Sequence, residues 1–312
     1  MTVLLEANGM SIYYGSTRGE VKAVENVNLT VNEQEIVGLA GESGSGKSTL
    51  ALGMLRLLNP PGRVVGGEVI FRGVDVLRLQ EEEFREKYRW KKLAMVFQGS
   101  MSGFTPVFTI GTQISEVLRI HGGTDNDQTV QNLLELVNLD ETIAKRYPHE
   151  LSGGQKQRAF IAMALALQPD LLVADEPTTA LDVITQASIL NLLKALRKNL
   201  GISILLITHD LALISETVDR LYIMYAGRVV EEGVSAEFFE KPKHPYGQGL
   251  LASTPTLKSK EIKGIPGFMP DLANLPAGCN FAPRCPYVME ICKRQLPQLK
   301  SVGGEKVACW LY

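Results

Sequence analysis

The chain has 312 residues, 45% of them hydrophobic, enough for one large core or a large domain with a small appendage. A formal net charge of −2, with 32 Lys+Arg against 34 Asp+Glu, offers no basic face for nucleic acid and no acidic tail. Met1–Glu6 lack a basic stretch followed by a long apolar run, so no signal peptide is expected; no run of 18 apolar residues exists, so the chain is not expected to cross a membrane by itself.

The opening reads as alternating strands, Leu4 to Tyr14 and Val21 to Val31. Ile36 to Ala40 reads as a buried strand running into a Gly-rich turn and then an apolar helix, Ser48 to Leu58. Gly67 to Val76 has strand character, with a turn at Gly73. From about Thr112 to Lys145 the apolar spacing is helical (Ile114, Val117, Leu118, then Leu133, Leu134, Val137), the mark of a helical insert. A helix after Ser152, a buried strand Leu171 to Ala174, a helix Thr185 to Lys198 and a strand Ser203 to Thr208 follow. A hairpin Leu221 to Glu232 turns at Ala226-Gly227. Strands alternating with helices predict a parallel sheet with crossover helices, an α/β fold. Beyond Phe239 the prolines multiply, and the spacing predicts a boundary near 238–245 and a mostly irregular tail.

Gly41-Glu-Ser-Gly-Ser-Gly-Lys-Ser-Thr49 fits G-x-x-x-x-G-K-[ST]. Glycines let backbone N–H groups turn inward around phosphates, and the following helix aims its positive end at them. Gly41, Ser43, Gly44, Ser45, Gly46 and Thr49 thus form the cradle, Lys47 reaches the outer phosphates, and the Ser48 hydroxyl can ligate Mg²⁺. A dinucleotide site is disfavoured, because Gly44-Ser-Gly46 lacks the third glycine. Leu171 to Glu176 is an apolar strand ending in two acids; Asp175 can hold Mg²⁺ through water, and Glu176 can orient or deprotonate an attacking water. Leu151-Ser-Gly-Gly-Gln155 opens a helix with Ser152 at the cap position, and Gly153 and Gly154 leave N–H groups bare, making a second anion-binding end. One nucleotide has one γ-phosphate, so two chains head to tail, each ATP between one chain's Lys47 loop and the other's Ser152 helix, is the economical arrangement.

From Leu4 to about Gly233 this order resembles the nucleotide-binding domain of ABC transporters, a P-loop NTPase with a helical subdomain and an N-terminal antiparallel β part. The resemblance implies that Gln98 senses Mg²⁺ and the attacking water, that Asp182 organises the dimer contact, and that His209 steadies the γ-phosphate and Glu176. It also implies that Tyr14, with Tyr13 as rival, stacks on adenine. Lys243-His-Pro-Tyr-Gly-Gln-Gly-Leu-Leu251 and the tail beyond it resemble dipeptide/oligopeptide importer ATPases of prokaryotes, some relatives of which import oligosaccharides. The implied setting is the cytoplasmic face of the membrane. The implied partners are a second, related ATPase subunit, two transmembrane permease subunits and, indirectly, an extracellular solute-binding protein, with no nucleic acid. A soluble ABC ATPase outside transport is the alternative. The stretch Gln98 to Pro106 departs from the usual acidic-Pro and Leu-Asn-Pro pattern near the permease contact. The expected division is an ATPase domain at 1–238, with its helical insert at about 100–165, and a tail at 239–312.

The four cysteines all lie in the tail, at Cys279, Cys285, Cys292 and Cys309, spaced C-x5-C-x6-C-x16-C. Their absence from the preceding 278 residues argues for a reducing compartment and one local site. Soft thiolates suit iron–sulfur iron or zinc; structural zinc favours tighter C-x2–4-C pairs, so a structural [4Fe–4S] cluster is expected, with Zn²⁺ the alternative.

Overall fold

The computed structural model describes residues 2–17, 19–99, 103–253 and 264–312. Ser100, Met101 and Ser102, in the departing stretch after Gln98, lie outside the described residues. In chain order the first half holds β1 (Val3–Ser16), β2 (Gly19–Asn32), β3 (Ile36–Ala40), α1 (Lys47–Met54), β4 (Gly62–Phe71), β5 (Val74–Asp75), α2 (Glu81–Lys87), β6 (Leu93–Val96), α3 (Ile110–His121) and α4 (Asp127–Leu136). The second half holds α5 (Gly153–Ala164), β7 (Leu171–Asp175), α6 (Val183–Leu200), β8 (Ser203–Thr208), α7 (Leu211–Ile214), β9 (Arg220–Tyr225), β10 (Arg228–Val234), α8 (Ser235–Glu240), α9 (Pro245–Ala252), α10 (Glu290–Arg294), β11 (Lys300–Val302) and β12 (Glu305–Val307). These elements form two compact units, one of residues Met1–Asn32, Val37–Leu77 and Thr208–Tyr312, the other of Glu33–Ile36 and Arg78–Ile207.

The first unit carries an antiparallel sheet in the order β2-β1-β4-β5. Alternation along β1 buries Leu5, Ala7, Met10 and Ile12. A second group of strands runs β11-β12-β10-β9-β3, with β3 parallel to β9 and β10 antiparallel to it. All five residues of β3 are buried, as a strand covered on both faces requires. The β9–β10 hairpin turns at Ala226 and Gly227 with φ of 43° and 82°, the left-handed pair that a two-residue hairpin needs. The described part of the tail is mostly irregular, as its prolines predict, with short helices and strands set into it. Pro245 starts α9 instead of breaking it, because the first helical turn has no partner for an N–H. His244 caps that helix, its Nδ1 accepting from the Tyr246 N–H at 3.0 Å. β12 then pairs with β10 (Glu231 opposite Val307), so the end of the chain extends the sheet.

The second unit holds the parallel strands β6, β7 and β8, with Leu171 opposite both Leu93 and Ser203. The helical insert forms as its periodicity predicts: α3 buries Ile110, Ile114 and Leu118, and α4 buries Val130, Leu133 and Leu134. Side-chain acceptors on Thr109 and Asn126 cap the two helices. α5 buries the whole run Ala159–Ala164, which makes it the central helix of this layer.

Candidate functional site

In the first unit β3 delivers the chain into the Gly41–Gly46 loop, and α1 begins at Lys47. Gly41, Gly44 and Gly46 have φ of 151°, 80° and 102°, conformations glycine adopts without strain. Space forbids a side chain as well: a Cβ on Gly41 would stand 2.1 Å from the Met224 carbonyl oxygen, and one on Gly46 2.2 Å from that of Ala23. Lys47 is only 4% exposed. Its Nζ donates to the Gly41 and Glu42 carbonyls at 2.8 and 2.9 Å and to Ser45 Oγ at 3.4 Å. A buried ammonium at the head of a helix whose N-cap, Gly46, offers no side-chain acceptor is a site for anionic oxygens. Ser48 and Thr49 occupy the first turn of α1 and are half-buried. Tyr14 is half-buried on β1, its ring tight against Gly62, while Tyr13 is engaged with Glu25 (3.4 Å) and lies under Lys22. His209 is exposed immediately beyond β8, before Asp210, whose carboxylate caps α7.

In the second unit Asp175 ends β7 and is 3% exposed; Glu176 follows with φ of 48°, a left-handed position that aims its carboxylate away from the strand. The Glu176 N–H donates to the Ile207 carbonyl (2.9 Å), fixing the backbone to β8. Its Oε2 accepts from Gln98 Nε2 at 3.0 Å and from Thr179 Oγ1 at 2.9 Å. Gln98 and Glu176 therefore meet at a hydrogen bond. Thr179 was invisible as a site residue in the sequence; its signal is only that it lies three residues beyond the acid, on the same turn.

Ser152 caps α5 through a reciprocal pair, Gln155 N–H to Ser152 Oγ (3.3 Å) and Ser152 N–H to Gln155 Oε1 (3.0 Å). A Cβ on Gly154 would meet Thr185 Cγ2 at 2.7 Å, so α5 and α6 start in contact. Asp182 caps α6, accepting from the Thr185 N–H (3.0 Å) and hydroxyl (2.7 Å), which holds its carboxyl below the ordinary range. Beside these two helix starts Val183 is 73% and Ile184 84% exposed. A groove of about 540 Å³ runs from Asn138 and Arg146 past Ser152, Gln155 and Arg158 to Ile184.

The four cysteines line one cavity of about 10 Å³ with His244, Phe281, Tyr287 and Trp310. Burial pushes Cys279 up to about 11 and raises Cys285 and Cys309. Such thiols ionise only for a strong positive charge. Among the described residues, however, no group of three or more His, Cys, Asp or Glu is gathered as a metal ion requires. Sequence reasoning also missed Arg284. Its guanidinium forks onto Glu42 of the phosphate loop, Nη1 to Oε2 at 2.7 Å and Nη2 to Oε1 at 2.9 Å.

Two family models match: that of the ABC transporter over residues 24–179, and that of the oligopeptide/dipeptide transporter C-terminal region over 230–292. The second match sets aside an ABC ATPase outside transport. A probable peptide ABC transporter ATP-binding protein of Sinorhizobium fredii is 42% identical over 99% of this chain and 95% of its own length. The dipeptide transport ATP-binding protein DppD of Haemophilus influenzae is 43% identical over 98% of this chain and 94% of its own. Among solved structures, a dimeric ATP-binding cassette in a post-hydrolysis state bound to ADP and Pi aligns with a TM-score of 0.66 and 30% identity, covering 74% of this chain and 99% of its own. CbiO1 of Clostridium perfringens, part of an ABC transporter complex, aligns with a TM-score of 0.66 and 26% identity over 77% of this chain and 92% of its own. No helix among the described residues is long and apolar enough to cross a membrane. The phosphate loop, the strand-end acids, the capped Ser-Gly-Gly helix and these alignments lead to one conclusion: the chain belongs to the ABC transporter ATPases, in the branch that carries the oligopeptide/dipeptide transporter C-terminal region.

Proposed function

We propose that this ATPase energises the uptake of peptides at the cytoplasmic face of a prokaryotic membrane, through two transmembrane permease subunits supplied by an extracellular solute-binding protein. Relatives named for peptide and dipeptide transport, aligned over nearly the whole chain, support the solute class. Residues 1–238 form the ATPase part, with a helical insert at about 100–165, and 239–312 the tail. Lys47, the Gly41–Gly46 backbone, Ser43, Ser45 and Thr49 hold the phosphates, and Tyr14 stacks on adenine. Ser48, Gln98 and, through water, Asp175 would hold Mg²⁺, which would supply positive charge against the developing phosphate charge. Glu176 accepts a proton from water, whose oxygen bonds to the γ-phosphorus as the bond to the ADP oxygen breaks. Gln98 holds Glu176 in place and His209 steadies the γ-phosphate.

The observation that carries the dimeric part of this reading is the exposed second anion end. Ser152 is exposed at the start of α5, with Gly153, Gly154 and Gln155 half-buried behind it, and exposed Val183 and Ile184 open α6. A second ATPase subunit covers that face head to tail, with Asp182 at the contact. Trapping tests it: Glu176→Gln with ATP gives a stable dimer on a sizing column, and adding Ser152→Ala abolishes it. Monomer in both cases contradicts the reading.

For the tail we infer a [4Fe–4S] cluster on Cys279, Cys285, Cys292 and Cys309. Four soft donors on one cavity support it. The spacing C-x5-C-x6-C-x16-C is wider than the C-x2–4-C pairs that structural zinc favours. Anaerobically purified protein is expected to be brown, with about four irons per chain, and to lose both when two cysteines become serine. Colourless protein with stoichiometric zinc would reverse the choice of metal.

A further inference from the structure

The tail does more than hold thiols: it reaches the phosphate loop at both ends of that loop. At the first end Arg284, whose side chain is 5% exposed, forks onto the Glu42 carboxylate. The Tyr246 hydroxyl accepts from the Glu42 N–H at 2.8 Å. The Glu42 carbonyl in turn accepts from Lys47 Nζ and from the Ser45 N–H (3.2 Å). Three groups of one residue are thus fixed, two of them by the tail and the third to the phosphate-binding lysine. At the second end Asn280 Nδ2 donates to the Ala226 carbonyl at 3.1 Å, and the neighbouring Gly227 N–H donates to the Ser45 carbonyl at 2.9 Å. Asn280 and Arg284 both lie between Cys279 and Cys285.

The packing between these contacts is rigid. Tyr225, Tyr246 and Phe281 are fully buried with ring centroids 4.6, 5.2 and 5.4 Å apart in their three pairings. The Arg284 guanidinium lies 5.8 Å from the Tyr225 ring and 6.0 Å from that of Phe281. Pairing with Glu42 raises its pKa further, so the charge is permanent. Met269 also presses on the loop: a Cβ on Gly44 would stand 2.9 Å from its Cε. A forked ion pair fixes direction as well as distance, which a Lys or a water cannot.

We propose that Arg284 is a positioning residue for the phosphate loop, and that the Cys279–Cys285 segment sets nucleotide affinity through it. On the proposed function, which this inference rests on, the lysine that holds the phosphates hangs from the carbonyl of Glu42. Releasing the Glu42 side chain lets that carbonyl swing, and the cradle is no longer prearranged for the anion. Coupling of this kind is reciprocal, so nucleotide binding is also felt in the tail.

The test uses the full-length chain. Arg284→Ala weakens ADP and ATP binding by about tenfold, within the usual range of coupling between two sites, while turnover at saturating ATP changes by less than about twofold. Arg284→Lys recovers only part of the affinity, because one ammonium cannot fork. In a double-mutant cycle, Glu42→Ala combined with Arg284→Ala binds no more weakly than the weaker single variant. A lowered thermal midpoint with unchanged affinity of the folded protein would show Arg284 to be structural only and overturn the proposal, as would additive effects. Where Arg284→Ala fails to fold, Arg284→Lys and Trp310 serve. In a Trp90→Phe background Trp310 is the single tryptophan; its emission shifts on adding ADP, and Arg284→Lys diminishes that shift. No shift in the parent would overturn the linkage.

Discussion

The two anion-binding helix starts of this chain are built in opposite ways. The Lys47 loop is closed in by its own unit: its lysine is buried, its glycines are pressed against the carbonyls of Met224 and Ala23, and Arg284 and Tyr246 hold Glu42. The Ser152 helix start is open. Its cap is satisfied locally by Gln155, and its neighbours Val183 and Ile184 are exposed apolar side chains. A closed site is complete enough to bind by itself. An open one, capped but flanked by bare apolar surface, is half of an interface. On the proposed function, affinity belongs to the first region and turnover to the meeting of the second with another subunit.

The largest expected effect is at the closed site. Lys47→Ala removes the only ammonium in the loop, and nucleotide binding should fall beyond detection in titration calorimetry; parent-like affinity would break the comparison at its root. Glu176→Gln keeps the geometry with Gln98 and Thr179 but removes the proton acceptor. Binding should persist while steady-state phosphate release slows by about 10²–10⁴-fold. At the open site, Ile184→Asp with Val183→Asp puts charge on the apolar rim. ATP affinity of the isolated chain should hold, while ATP-driven dimerisation weakens by roughly tenfold or more in sedimentation runs, since burying an unpaired charge costs a few kcal/mol.

The smallest effect concerns the support of the closed region. Glu231 on β10 is buried, accepts N–H bonds from Lys243 (2.5 Å) and His244 (3.1 Å), and lies near Glu305; burial raises its pKa to about 7. The folded state therefore holds its proton more tightly than the unfolded chain. The stability this contributes is complete below about pH 4.5 and is lost as pH rises through about 7. Glu231→Gln cannot titrate. Its difference from the parent in denaturant unfolding should drift in its favour by about 2 kcal/mol between pH 5 and 8, on top of a pH-independent loss of one hydrogen bond. A difference that is flat with pH would remove Glu231 from the account.

Local chemistry made the first region legible in the sequence: a strand, a glycine-rich turn and a lysine are consecutive, and backbone geometry follows from them. The strand-end acids and the capped Ser152 were legible for the same reason. What supports the phosphate loop was not. Arg284 and Glu42 lie 242 residues apart, and no periodicity links them. Most of the described tail is irregular, as its prolines suggest, but not every proline there breaks an element. Pro245 instead occupies a helix start, and the short strands β11 and β12 owe their existence to the edge of β10, a tertiary partner absent from any local window. α1 stops at Met54, short of the expected Leu58, because Arg56 turns left-handed with φ of 55°. The exposure of Val183 and Ile184 was likewise unreadable, since an apolar pair at a helix start usually faces a core.

The central claim is that the open end of one subunit completes the closed site of the other, and paired substitutions in two differently tagged chains decide it. Where the natural pair is heteromeric, the matching lysine and serine of the partner are used. With Lys47→Ala in one chain and Ser152→Ala in the other, both defects fall on one composite site, and the second site stays whole. Purified mixed dimers should keep roughly half the parent ATP turnover, a simple count of intact sites. With both substitutions in one chain and none in the other, both sites are damaged and turnover should be lost. The reverse pattern, activity in the second arrangement and none in the first, would mean that each chain hydrolyses ATP with its own Ser152 and would contradict the account.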